Sequence, residues 1–310
     1  MNRKGDISMT EQNKIAYEVN ETIETRMGRH PGYRRAHARG ILFKARFIPN
    51  GKAAAFTKAE PLLKDTEAIV RFSHSSPDPS MTDAASPIKG MAVRLLSQSG
   101  PLNLVMATVP VFIAKQPETF HNIMNGLALK DGKIRPLNAL KLFIKKPEAR
   151  AFLRILQNSR LPESFATVPY HAIHAFWLVD ETGKRQAVRF RFVPERISYD
   201  KPKIIPQEEE LKQRVARGPV RFHLQVQLAD ETDAVDDPTV EWPNDRPLIE
   251  VGTLTLEEEI KEQEDLMFDP TLLPTGIEAT GDPIFAFRKL VYEESMRRRH
   301  QEAKRNRHGD

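Results

Sequence analysis

The chain of 310 residues contains no cysteine. That absence excludes disulfides, cysteine zinc sites and thiolate ligation of iron in one step. It leaves the compartment open, because a cysteine-free chain tolerates either redox state. No run approaches 18 consecutive apolar residues, which argues against a membrane span. The opening "MNRKGDISMTEQNK" shows no apolar core behind its basic residues. We therefore expect no signal peptide and a cytoplasmic protein, or a periplasmic one where a leader has been removed. Internal repeats and long low-complexity tracts are also missing.

What is present is an ordinary soluble composition, 40% hydrophobic and 29% charged, with length enough for one large core or two modest ones. The net charge of +5 is unevenly spread. Residues 297–310 hold six Arg or Lys against Glu302 and Asp310, a local +4, so the rest of the chain carries about +1. A nearly neutral body does not track phosphates, and no nucleic-acid partner is expected.

Strand patterning recurs along the chain. His37 to Phe47 alternates with one apolar face, with a bulge expected near Gly40. Further strands are expected at 68–74, 90–97, 102–114 and 248–256. The segments "HAFWLVD" and "QAVRFRFV" flank the turn "ETGKR" and read as a hairpin. Residues 220–228 alternate most cleanly. Helical spacing appears in "PETFHNIMNGLAL", "PLNALKLFI", "EARAFLRILQ" and "PQEEELKQRVARG", and residues 11–27 of a polar arm also suit a helix. A last helix begins at Asp282-Pro283, a cap followed by proline at the first helical position. Seven or eight strands with intervening helices imply an α+β protein built on a closed or nearly closed barrel.

The stretch "RKLVYEESMRRRH" (288–300) combines charge with one of five tyrosines. On a helix Tyr292, Ser295 and Arg299 fall within about 40° of Arg288, so all four share one face. From spacing alone this is as well a solvated polar face as a site. A guanidinium beside a phenol does, however, stabilise the phenolate, which is a strong ligand for ferric iron.

With that stretch, "YRRAHARG", "VRFSHS", "GMAVRL", "LNLVMATVPVF", "IHAFWLVDETG", "EWPNDRPLIEVGTLTL" and "FDPTLLPTGIE" follow one another in an order that resembles the catalase superfamily, specifically its short catalase-related peroxidases. The resemblance covers roughly residues 30–300. It implies an N-terminal arm (1–30), a catalase-like antiparallel β-barrel domain with surrounding helices (31–300) and a basic tail (301–310). It implies haem b as cofactor, hydrogen peroxide or an organic peroxide as substrate, and a small organic electron donor. Homo-oligomers are common in the family.

The resemblance also implies roles. His37 is then the acid–base residue, oriented by Ser73. Arg34, Arg71 and Arg299 bind haem propionates, and Phe120 packs on the haem. Tyr292 ligates the iron with Arg288 beside it, backed by His174 and Asp282. His171 and His174 alone make an improbable metal pair in a hairpin without a third ligand. Asn20-Glu21-Thr22 matches a glycosylation sequon by chance. One position departs from the pattern: the asparagine that true catalases carry on the distal side is Ala107 here, beside Thr108. We therefore expect peroxidase turnover with weak dismutation at most. An allene oxide synthase-like enzyme and a haem carrier remain alternatives, and Ala36 before His37 counts against the former.

Overall fold

Residues 9–126, 129–130, 133–134, 147–158, 160–199, 205–263 and 265–308 are described by a computed structural model. Its strands are β1 (Gly40–Pro49), β2 (Thr66–His74), β3 (Lys89–Leu95), β4 (Leu102–Ala107), β5 (Leu129–Lys130), β6 (Lys133–Ile134), β7 (Tyr170–Ala172), β8 (Phe176–Val179), β9 (Arg185–Pro194), β10 (Val220–Leu228), β11 (Leu248–Ile260) and β12 (Ile277–Ala279). Eight of them run in the order β10-β11-β1-β2-β3-β4-β7-β9, and pairing of β9 with β10 closes the barrel. Every neighbouring pair is antiparallel. The hairpin read around "ETGKR" is β8–β9, and it extends from the N-terminal part of β9 with β12 outside it.

Alternation explains the barrel's filling. In β10, Phe222, Leu224 and Val226 are buried while Arg221, His223 and Gln225 are not. Phe43, Phe47, Phe72, Tyr170, Phe190 and Phe192 join them in one closed core. Strand β2 differs: beyond its inward Val70 and Phe72, the outward Arg71 and Ser73 are buried too. A strand buried on both faces needs a cover on the outside.

Helices supply that cover: α1 (Met9–Met27), α2 (Pro117–Gly126), α3 (Pro147–Asn158), α4 (Gln207–Arg217) and α5 (Pro283–His308). The N-terminal arm is amphipathic. Ile15, Ala16, Val19 and Ile23 pack with Phe287, Leu290 and Val291 of α5 and with Phe120 and Met124 of α2. Arg298 fastens α1 to α5 through Glu21 at 3.0 Å and Glu24 at 3.1 Å. Arg35 adds buried pairs to Glu24 and Glu302, both at 2.6 Å. Residues 301–308 thus continue α5, and part of the basic stretch points inward.

Three expectations shift. The first strand starts at Gly40, because His37 has a left-handed φ of 55° and its N–H turns to Ser75 O. Gly40 pairs regularly with Ser73; the irregularity lies further on, between Phe43 and Ala45 against β11. A Cβ at Gly40 would sit 2.5 Å from Phe72 O and 2.8 Å from Arg71 Cζ, so close approach is what requires glycine there. Strand β4 stops at Ala107, ahead of Pro110, which has no N–H for a ladder. The helix expected over 136–144 lies outside the described residues. Among the described residues, no helix is long and apolar enough to cross a membrane.

Candidate active site

Between the outer face of β2–β3–β4 and the helices α1, α2 and α5 lies a cavity of about 480 Å³. Its walls are mostly apolar, from Val105, Val109, Phe112, Phe120 and Met124 among others. Into it face His37, Ser73, Arg34, Arg71, Phe120, Arg288, Tyr292 and Arg299, which the fold draws from four separate stretches. His174 and Asp282 stand behind that lining.

The strand-side wall carries His37. Its ring Nδ1 lies 2.9 Å from Ser73 Oγ on β2. Its carbonyl accepts from Arg71 Nη1 at 3.0 Å, which fixes the left-handed turn from below. Burial, followed by the cations of Arg71, Arg288 and Arg34, lowers its pKa to about 3. The imidazole is therefore neutral at neutral pH. In the tautomer that donates Nδ1–H to Ser73, Nε2 keeps a lone pair for a proton.

Gly90 on β3 is the part of this wall that sequence reasoning left without a role. A Cβ there would lie 2.7 Å from both Cε1 and Nδ1 of His37 and 2.9 Å from Ser73 Oγ. Only a hydrogen leaves room for the ring. Gly90→Ala is expected to displace the imidazole and lower turnover on the order of 10²-fold, because an error of about 1 Å in a catalytic group costs that much. Turnover normalised to bound cofactor checks it; an unchanged rate contradicts this packing.

On the helix-side wall a relay runs in one direction. Asp282 Oδ1 caps α5 by accepting from Ile284 N–H at 2.9 Å. Its Oδ2 lies 2.5 Å from His174 Nδ1. Burial lowers the pKa of His174, so the ring is neutral, gives Nδ1–H to Asp282 and accepts at Nε2 from Arg288 Nη1 at 2.8 Å. Arg288 then donates from Nε and Nη2 to Tyr292 Oη, at 3.0 and 2.7 Å. The phenol oxygen thus accepts two guanidinium hydrogen bonds. Asp282 serves as cap and as relay end together.

The arginines cluster at one end. Arg34 Nη2 lies 3.0 Å from Glu262 Oε1 and donates to Leu266 O at 2.9 Å. Arg71 Nε reaches the same carboxylate at 2.8 Å. Burial and the charges of Arg34 and Arg299 lower the pKa of Arg71 to about 10, which leaves it charged at neutrality. Phe120 stacks on Phe112 with centroids 5.2 Å apart.

Ala107 lines the cavity, and the neighbouring hydroxyl does not replace the missing amide: Thr108 Oγ1 accepts from the backbone N–H of Lys89 at 3.1 Å. Around Ala107 gather Val109 and Ile173, with Phe152 and Ile155 of α3. The distal wall beyond His37 is therefore apolar. Asn20 is wholly buried and donates to Ala16 O and Val291 O, so the sequon is no attachment site. His74, Asp83 and Glu208 lie within metal-ligating distance of one another. Their charges are already taken up, since Arg39 pairs with both acids and Lys89 Nζ meets His74 Nδ1 at 2.8 Å.

A family model described as catalase matches residues 18–306. A curated relative from Mycolicibacterium paratuberculosis, named catalase-related peroxidase, is 32% identical over 286 residues, covering 88% of this chain and 90% of its own length. Another of that name, from Synechococcus elongatus, is 31% identical over 91% of this chain and 88% of its own. Catalase B of Emericella nidulans is 27% identical, and the match spans 38% of its longer chain.

Proposed function

The chain belongs to the catalase family, and on that premise we propose that it is a haem-dependent peroxidase that reduces hydrogen peroxide or an organic peroxide at the expense of a small organic donor. The observation that carries the reading is the meeting of two walls in one cavity: His37 with Ser73 on one, Tyr292 with Arg288 on the other.

The residues fit haem. An apolar slot suits a porphyrin, the guanidiniums of Arg34, Arg71 and Arg299 suit its carboxylates, and Tyr292 Oη suits iron. Haem b is the form the resemblance to the family implies, and the chain has no cysteine for thioether attachment. When bound, haem supplies the redox chemistry that links peroxide reduction to donor oxidation.

The chain's own groups manage protons and charge. Neutral His37 takes the proton from one peroxide oxygen and returns it to the other, so that the departing oxygen leaves as water or an alcohol. Ser73 holds the ring in place for both transfers. Arg288 donates two hydrogen bonds to Tyr292 Oη, and His174 with Asp282 keeps Arg288 turned toward it. The net reaction is ROOH + AH₂ → ROH + A + H₂O, which balances.

Ala107 decides between the family's two activities. Dismutation requires a second peroxide to be held and oxidised, and an apolar distal wall offers no donor for it. A missing positioned donor costs about 10²–10³ in rate where it acts on the transition state. Heterolysis depends on His37 and is spared. Peroxide consumption with and without a phenolic donor tests this: donor oxidation with little oxygen release is expected, while rapid oxygen release without donor oxidation would overturn it.

A further inference from the structure

The arginines at the cavity's end are already engaged before any cofactor carboxylate is considered. Arg34 and Arg71 share one acid, Glu262, whose Oε1 lies 3.0 Å from Arg34 Nη2 and 2.8 Å from Arg71 Nε. The two cations differ in cost. Arg71 has a side chain 5% exposed, and a buried cation without a partner is strongly destabilising. Glu262 is 43% exposed and swings into water cheaply. It sits just beyond the end of β11, on a segment that is anchored separately. Leu266 and Phe268 are buried against Leu42, and Asp265 lies 2.7 Å from His300. Releasing Glu262 from the arginines therefore leaves the segment attached.

We propose that Glu262 is an internal stand-in for the cofactor's carboxylates: it partners Arg34 and Arg71 in the cofactor-free chain and competes with the bound cofactor for them. The inference rests on the haem reading above. A stand-in spares Arg71 an unpaired state before loading. The same charge, once a propionate arrives, repels it and divides the guanidinium hydrogen bonds. Glu262 thus stabilises the unloaded fold and weakens the loaded one. A residue that merely held the arginines in position would strengthen both.

That opposition of signs is measurable on the full-length chain with Glu262→Gln and Glu262→Asp. Haem loss is followed as transfer from the loaded protein to excess apomyoglobin, and the Tm of the unloaded chain is measured alongside. Glu262→Gln is expected to slow haem loss by about tenfold, since a like charge beside the propionates is removed, and to lower the Tm of the unloaded chain. Glu262→Asp, which keeps the charge, is expected to lose haem at close to the wild-type rate. Equal or faster haem loss from Glu262→Gln overturns the proposal and leaves the haem reading intact. Failure of the wild-type chain to take up haem stoichiometrically defeats that reading itself, and the proposal with it.

Discussion

The His37→Ala variant is expected to consume peroxide about 10²–10⁴-fold more slowly than the wild type while still binding haem, because a positioned acid–base group contributes that much. The residues proposed to hold the cofactor are elsewhere on the cavity lining: Arg34, Arg71, Arg299 and Tyr292. Binding and turnover therefore separate, and absorbance at the haem band measured beside initial rates shows it. The pH dependence sharpens the expectation. An unperturbed histidine loses its base function below about pH 6.5. Burial and three arginines hold His37 at about 3, so kcat/KM for peroxide stays flat from pH 8 down to 5. An acid limb centred near 6.5 that disappears in His37→Ala would contradict the environment described. Stability runs the other way. Between pH 6.5 and 3 the unfolded chain binds a proton at this position that the folded chain refuses. The contribution of neutral His37 to stability is fully present above about pH 6.5 and is lost as pH falls toward 3.

Tyr292→Phe has the second large effect. It leaves the ring's packing and removes the one oxygen to which Arg288 donates twice. Changing a group behind a metal ligand costs about 10–100-fold, so removing the ligand itself is expected to cost more than roughly 100-fold in turnover. Arg288 is then left with His174 alone among these partners. The measurement is turnover per bound haem; activity within a few-fold of wild type would place the ligand elsewhere.

Much of this site was readable because it is local. Arg288, Tyr292 and Arg299 follow from helical spacing, and the Asp282-Pro283 start from capping chemistry. Strand β10 follows from its alternation, which matches its two faces from Val220 to Gln227, with Leu228 only half-buried. The misreadings have physical causes. His37, Arg39 and Ile41 alternate as a strand does, but a left-handed φ at His37 breaks the extended chain, and sequence patterns do not show dihedral angles. The arm's polarity concealed Ile15, Val19 and Ile23, although their spacing of four already marks one face of a helix. Arg298 has no role in the sequence and Glu302 falls in the basic tail, because their partners, Glu24 and Arg35, are over 260 residues away. Gly90 and Glu262 carry no local signal at all: one matters for the atoms it lacks, the other for two arginines that the barrel brings to it.

The central claim is that this cavity holds haem with Tyr292 as the iron's protein ligand. The most direct measurement is the absorption and electron paramagnetic resonance spectrum of the haem-loaded full-length chain, wild type beside Tyr292→Phe. High-spin ferric tyrosinate features in the wild type, lost in the variant, are the result expected. A low-spin bis-histidine spectrum, or one unchanged by Tyr292→Phe, would contradict the claim.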